Sequence, residues 1–510
     1  MSSVVTLYVV DYNSMTKEHQ DILCSNGAIA ALAPLLASDV YKVQMPTLKC
    51  FAVLCYENEN SAAQISTATY NGESIPKLLV RLLARDKTSE MQIAAAKCLT
   101  YLCRCGAIEA DSPTIVLKTL PTLVRMCKKD RPLEENVEGA ETLAYLIKVD
   151  PVLQRAAAIS DHIMKALAEY LKYTDIEQIG SRTMKKKDVN WGNEMRQAAF
   201  KALASLGAND EDIRKKIIAT ENLMDHVSTA MNSQNLKVQI AATRCLHSLS
   251  RSVQQLRTSI QDHNIWKPLL KLIQCGDEEA LAIASSTLCN LLLEFSPSKE
   301  PILEAGAINI LADLTSRSDP ALRLNGVWGL MNMAFQAEQK VKLQIVETLG
   351  SEQLFCLLFD SDTNILMKTL GLLRNLLSNQ QHIDDIMGSY GNQVMQAVIF
   401  ILEGDHSVEV KEQTLCILAN IADGDQAKDV IMENDDILKK LTSYMVHSNV
   451  KLQIAAILCV LNLVSKQDEG AFHRQERLKK MGVQKLLQQL LSTQDATLFE
   501  KVKQALQQFT

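Results

Sequence analysis

Ten segments of this 510-residue chain repeat one another, and that repetition limits the fold more than any other feature. The segments align on Val53, Tyr101, Tyr145, Ser205, Ser248, Asn290, Asn332, Asn375, Asn420 and Asn462. Successive anchors lie 42 to 48 residues apart, with one interval of 60. Two residues before each anchor stands a large apolar residue: Phe51, Leu99, Leu143, Leu203, Leu246, Leu288, Leu330, Leu373, Leu418 and Val460. One residue after it stands another, from Leu54 and Leu102 through Met333 and Ile421 to Leu463. Six residues before it the side chain is always small, as at Ala95, Gly139, Gly326 and Ala456. Positions −2 and +1 are three apart and share one face of a helix. The small slot lets a second helix approach closely. A single unit of this size cannot cover its own apolar face, whereas stacked units form a continuous core.

A helical period of this length belongs to armadillo and HEAT arrays. The expected fold is therefore all-α, an armadillo/HEAT-type right-handed superhelical solenoid spanning residues 1–510. Gly27, Gly306 and Gly482 each open an apolar helical run and suit a tight joint between helices. Pro320 suits a helix start, where its missing N–H is harmless. Residues 1–35 read as an incomplete N-terminal repeat or cap and 36–170 as early repeats. The long interval places an inserted polar and basic loop at 171–193, including Lys185, Lys186 and Lys187. Later repeats fill 194–482, and C-terminal capping helices fill 483–510.

Anchor helices of such an array line its inner face. The last five anchors, Asn290, Asn332, Asn375, Asn420 and Asn462, are all asparagine. Their carboxamides would stand about 10 Å apart, the spacing of packed helices. Each can donate to and accept from a peptide backbone, which suits an extended partner segment in a groove. The alternative is a local bond from each asparagine to a neighbouring helix end. Trp328 lies four residues before Asn332, on the same helix face, and would add a slot for a partner side chain. Position −9 is often polar or basic: Gln44, Gln92, Asn136, Arg196, Gln239, Arg323, Lys411 and Gln453. Arg323, Lys368 and Lys411 are the candidates to receive an acidic tail or a terminal carboxylate, and a solvated helix start is the alternative. The first five anchors are Val, Tyr, Tyr, Ser and Ser, so the early half should read a partner differently.

Other function classes fare poorly. A net charge of −6 gives no global attraction for a phosphate backbone, so nucleic acid is not an expected partner. Thirteen cysteines scattered through leucine-rich segments, among them Cys98, Cys245, Cys289, Cys416 and Cys459, suit buried thiols in a reducing compartment. Cys103 and Cys105 have the wrong spacing for a zinc or redox pair. No phosphate-cradling glycine loop, His-Glu-x-x-His or nucleophile elbow occurs. No catalytic residue, metal or cofactor is expected, nor a signal peptide or membrane insertion.

Local stretches go further than the period. Met91–Gly106 (MQIAAAKCLTYLCRCG), Val116–Cys127 (VLKTLPTLVRMC), Val137–Ile147 (VEGAETLAYLI), Cys245–Gln261 and Cys289–Glu304 (CNLLLEFSPSKEPILE) resemble the armadillo repeat-containing protein 8 family, as do segments after Val327, Met367 and Val410. The resemblance covers almost the whole chain. It implies a non-catalytic scaffold of the CTLH E3 ubiquitin ligase, the counterpart of the yeast glucose-induced degradation complex. Implied partners are the substrate-receptor subunit, whose tail would occupy the later groove around Trp328, Asn332, Asn375 and Asn420, and the catalytic-core subunits. The family's link to alpha-catenin turnover adds that protein, and the implied location is cytoplasm and nucleus. The family's long form has further N-terminal repeats, so the resemblance also implies that some core-binding surface is absent here. The alternatives are an armadillo adaptor of nuclear import or of adhesion and signalling. Import adaptors use several Trp-x-x-x-Asn pairs in series, and only Trp328 with Asn332 occurs here.

Overall fold

The computed structural model describes residues 15–173, 186–252, 264–274, 277–293, 296, 298–466 and 468–509. The chain divides into two compact units, Met1–Leu269 and Leu270–Thr510. Every anchor falls in the last turn of a helix, as the alignment predicts. The five anchor helices of the first unit are α1 (Tyr41–Cys55), α2 (Ser89–Arg104), α3 (Leu133–Ile147), α4 (Lys186–Leu206) and α5 (Leu236–Ser250). Those of the second are α6 (Glu278–Leu291), α7 (Pro320–Ala334), α8 (Thr363–Leu376), α9 (Val408–Ile421) and α10 (Val450–Leu463), followed by α11 (Ala496–Gln508). Within each unit every anchor helix packs on the next. None of the ten −2 residues or ten +1 residues is more than 2% exposed. Each such side chain is worth about 1.5–3 kcal/mol when fully buried.

Local chemistry starts and joins the helices. From α5 to α10 the N-cap is always Asn, Asp or Ser, and its side chain accepts a backbone N–H of the first turn. Asp319 caps α7 through Ala321 N at 2.9 Å, with Pro320 at the first helical position. Gly27, Gly306 and Gly482 occupy the left-handed region at φ 82°, 80° and 86°, between the first two helices of their repeats. Asn222, at φ 56°, makes the same joint before Leu223–Met231.

At four of the repeats position −9 is a structural tie and not a solvated helix start. Its side chain reaches back to the end of the preceding helix. Gln44 Nε2 donates to Leu36 O at 3.0 Å, Asn136 Nδ2 to Met126 O at 2.8 Å, Gln239 Nε2 to Met231 O at 3.2 Å and Gln453 Nε2 to Met445 O at 3.1 Å. In each case the acceptor is the last residue of that helix, whose carbonyl has no intrahelical donor. A second set of buried polar side chains closes the anchor helices. Gln20 donates to Val53 O, Gln154 to Ile147 O, Arg214 to Gly207 O and Arg474 to Leu463 O.

Two boundaries differ from the sequence reading. Lys17–Ser25 and Ala28–Leu36 are the first two helices of a three-helix repeat that α1 completes, so residues 17–36 are not a partial unit. Helix α4 takes in Lys186 and with it the last eight residues of the expected 171–193 loop. Residues 174–185, with Lys185, lie outside the described residues. The all-α array also carries one small hairpin, β1 (Thr69–Tyr70) with β2 (Glu73–Ser74), turned by Asn71 and Gly72 at positive φ. The final helices, Val483–Leu490 and α11, lie where the C-terminal cap was expected.

The small −6 slot is tight enough to test. A Cβ on Gly326 would lie 2.7 Å from Leu311 O and 2.9 Å from Thr315 N, both backbone atoms that cannot rotate away. Gly326→Ala is expected to destabilise the second unit by about 1–3 kcal/mol, although alanine is the better helix former, and urea unfolding measures it. A second test uses Arg323, which donates to both oxygens of Asp360 at 2.8 and 3.3 Å and to the carbonyls of Arg317 and Ser318. Burial works to raise the Asp360 carboxyl, but the Arg323 guanidinium and the Asp362 amide outweigh it and hold its pKa below the ordinary value. The folded carboxyl therefore titrates lower than the unfolded one, near 3.9. Its stabilisation is complete above about pH 4 and lost as pH falls through the folded value. Arg323→Gln should cost about 2 kcal/mol at pH 7, with the gap to the parent closing below about pH 4. Unfolding midpoints measured across pH test this.

Candidate functional site

In the second unit the asparagine row forms a regular set of ties between anchor helices. Asn332 Nδ2 donates to Cys289 O at 2.9 Å, Asn375 Nδ2 to Met331 O at 2.9 Å, Asn420 Nδ2 to Arg374 O at 3.4 Å and Asn462 Nδ2 to Ala419 O at 2.9 Å. Each acceptor is the residue just before the preceding anchor. The local-bond alternative thus accounts for one N–H of four carboxamides. Asn332 is only 7% exposed, so it belongs more to the packing than to the surface. Asn290, Asn375, Asn420 and Asn462 are half-buried. For Asn375, Asn420 and Asn462 the tie occupies one of two N–H groups and leaves the oxygen outside that bond.

The expected cations separate into three situations. Arg323 is engaged by Asp360, 20% and 9% exposed as side chains, so it is a structural residue and not a receiver of a partner carboxylate. Lys368 Nζ lies 4.6 Å from the centre of the Trp328 ring. That cation–π contact joins α7 to α8 and covers one face of the indole. The slot beside Asn332 is therefore bordered by an ammonium as well as a carboxamide. Sequence alone gives no sign that Lys368 and Trp328 meet. Lys411, half-buried at the start of α9, has no ion pair among the described residues.

The first unit presents different chemistry, as its anchors predict. The ends of its anchor helices frame a groove of about 570 Å³. Tyr56, Tyr101 and Tyr145 cluster in it with ring centres 4.9 Å (56–101), 5.6 Å (101–145) and 6.0 Å (56–145) apart. The 56–101 and 101–145 contacts are edge-to-face, the arrangement that ring quadrupoles favour. Arg104 stands 5.3 Å from the Tyr145 ring centre. Burial pushes the Tyr145 phenol up to about 12, so it remains neutral. Two anchors of this cluster were visible in the sequence, whereas Tyr56 was missed. Its signal is position +3 of the first repeat, next to the anchors of the following helices.

Three buried thiols are poor nucleophiles. Burial pushes Cys98, Cys245 and Cys289 up to about 12, far from the thiolate form at neutral pH. Cys416 is half-buried, unlike these three. No group of His, Cys, Asp and Glu suited to a metal occurs among the described residues.

No family model matches the chain. Curated relatives match at length. Armadillo repeat-containing protein 8 of Pongo abelii is 58% identical over 493 residues, covering 96% of this chain and 73% of the relative. The Danio rerio protein of the same name is 58% identical over 495 residues, covering 97% and 74%. GID complex subunit 5 of Schizosaccharomyces pombe is 26% identical over 389 residues, 73% of this chain and 48% of its own length. Among solved structures, an engineered protein superposes with TM-score 0.68 at 22% identity, covering 85% of this chain and 98% of its own. A structure concerned with a phosphorylation switch in the interaction between cadherin and beta-catenin gives TM-score 0.61 at 15% identity, covering 94% and 90%. These two establish the armadillo fold. Identity of 58% along nearly all of the chain, together with the ten-fold repeat and its buried seam, makes this chain a member of the armadillo repeat-containing protein 8 family.

Proposed function

We propose that this chain is a non-catalytic scaffold of a CTLH-type E3 ubiquitin ligase, linking the substrate-receptor subunit to the catalytic core and so supporting proteasomal degradation of substrates. The observation that carries this reading is the 58% identity over 96% of the chain to armadillo repeat-containing protein 8. The weaker likeness to a subunit named for the GID complex supports the same assignment. A row of tied anchor helices suits the task physically. It offers a long surface whose repeats hold fixed positions without needing a reactive group.

Within this reading the receptor's tail docks in the second unit beside Trp328. The indole supplies apolar area, Lys368 and Lys411 supply positive charge for a carboxylate, and the half-buried Asn375 and Asn420 supply polar contacts along the row. Arg323 takes no part. Catalytic-core subunits and alpha-catenin would bind elsewhere on the chain, and the assembly would work in cytoplasm and nucleus. Nuclear import and adhesion roles have no comparable support.

Calorimetry of the full chain with the receptor subunit of its own ligase tests the site. Micromolar or tighter binding is expected, weakened at least tenfold by Trp328→Ala and by Lys368→Glu. Asn332→Ala should instead lower stability by about 1–2 kcal/mol, because the Cys289 carbonyl loses its carboxamide donor. Binding unchanged by both groove substitutions would move the site to another surface. Absence of binding by the folded parent would overturn the receptor-adaptor reading, and ubiquitin transfer by the purified chain alone would overturn the non-catalytic one.

A further inference from the structure

The first unit's groove has a composition that neither the asparagine row nor the ligase reading uses. Five cationic side chains line it, Lys97, Lys148, Lys201, Arg244 and Arg251, against three carboxylates, Glu57, Glu138 and Glu141. This local excess of positive charge lies on a chain whose net charge is −6. Two of the carboxylates are already matched: Lys97 Nζ lies 3.1 Å from Glu138 and Lys201 Nζ 2.7 Å from Glu141. Lys148 is exposed and has no carboxylate partner among the described residues. Among the described residues Arg251, which is exposed, donates to the Ala208 carbonyl, and that bond leaves its charge uncompensated. Beside these cations lies the tyrosine cluster, with Tyr56 and Tyr145 half-buried.

We infer that this groove is a second docking site, for an extended acidic peptide segment that carries an aromatic side chain. Charge complementarity sets the acidic character. Isolated carboxylates can meet Lys148 and Arg251 while avoiding Glu57, Glu138 and Glu141. A nucleic-acid backbone, with a charge at every step, would have to pass those carboxylates and is disfavoured. The aromatic requirement comes from the tyrosines, whose neutral rings favour offset or edge contact with another ring. Reach follows from the helices. Lining residues run from Tyr56, just after α1, to Arg251, just after α5. An extended segment that meets both Lys148 and Arg251 therefore crosses the ends of α3, α4 and α5. The site is independent of the ligase assignment.

Fluorescence anisotropy with the full chain and a labelled glutamate–tyrosine copolymer (4:1) tests the proposal. Binding should be at least tenfold tighter than to polyglutamate or to a lysine–tyrosine copolymer, and should weaken as salt rises. The double change Lys148→Glu and Arg251→Glu should weaken it at least tenfold. Tyr145→Ala should do the same, while Tyr145→Phe, which keeps the ring, stays within about twofold. Lys411→Glu, in the other unit, should leave it unchanged. The proposal is overturned if polyglutamate, the lysine–tyrosine copolymer or an oligothymidylate binds as tightly. Loss of binding in the Lys411 variant, or none in the folded Lys148/Arg251 variant, would also overturn it, as would failure of the parent to bind.

Discussion

The packing of one anchor helix on the next is the interaction on which the rest of the structure depends. It has a fixed form, a large apolar pair at −2 and +1 that is fully buried, while a small residue at −6 lets the preceding helix of the same repeat come close. Gly139 and Gly326 show the limit, where an added Cβ would meet a neighbouring atom at 2.7 Å. The packing of anchor helix on anchor helix has a second consequence. It brings the anchor side chain of one repeat within hydrogen-bonding distance of the backbone of the preceding one, which is why Asn332, Asn375, Asn420 and Asn462 can all tie to it in the same register.

Burying helix ends in such a stack leaves their last carbonyls without donors. The chain meets this with side chains at two places. Gln44, Asn136, Gln239 and Gln453 at −9 bond the end of the preceding helix, and long polar residues on first helices bond the end of an anchor helix. The second set includes residues rarely found inside proteins, such as Arg214 and Arg474 at 9% and 6% exposure. Positive charge next to a carboxyl-terminal helix end is favourable, and the fixed geometry of guanidinium lets one side chain satisfy several acceptors. A polar residue in the repeat is thus more often a cap than a contact. This is the physical ground for removing Arg323 from the candidate docking residues and retaining Lys368 and Lys411.

The two units present surfaces of different chemistry on the same helical frame. The second offers carboxamides, an indole and two cations, while the first offers three packed tyrosines under an excess of positive charge. Because the frame is held by residues on one side of each anchor helix, residues on the other side can differ without disturbing it. A scaffold built this way can carry more than one partner, each recognised by its own set of side chains.

The sequence by itself determined the period, the ten anchor helices, the buried seam and the glycine joints, because all of these repeat or obey local rules of helix geometry. The family resemblance was legible for the same reason, in runs of contiguous residues. Tertiary structure decided what the polar positions do. That Arg323 faces Asp360, that Lys368 covers Trp328 and that Tyr56 joins Tyr101 and Tyr145 depends on neighbours 37 to 89 residues away. Period alone cannot tell a side chain turned toward the next repeat from one turned toward solvent. That residues 186–193 are helical was likewise hidden, since an interval of 60 residues shows that something is inserted but not how much of it is helix. Apolar spacing specifies a stack, but the pairing of charges and carbonyls across it is fixed only once the helices stand side by side.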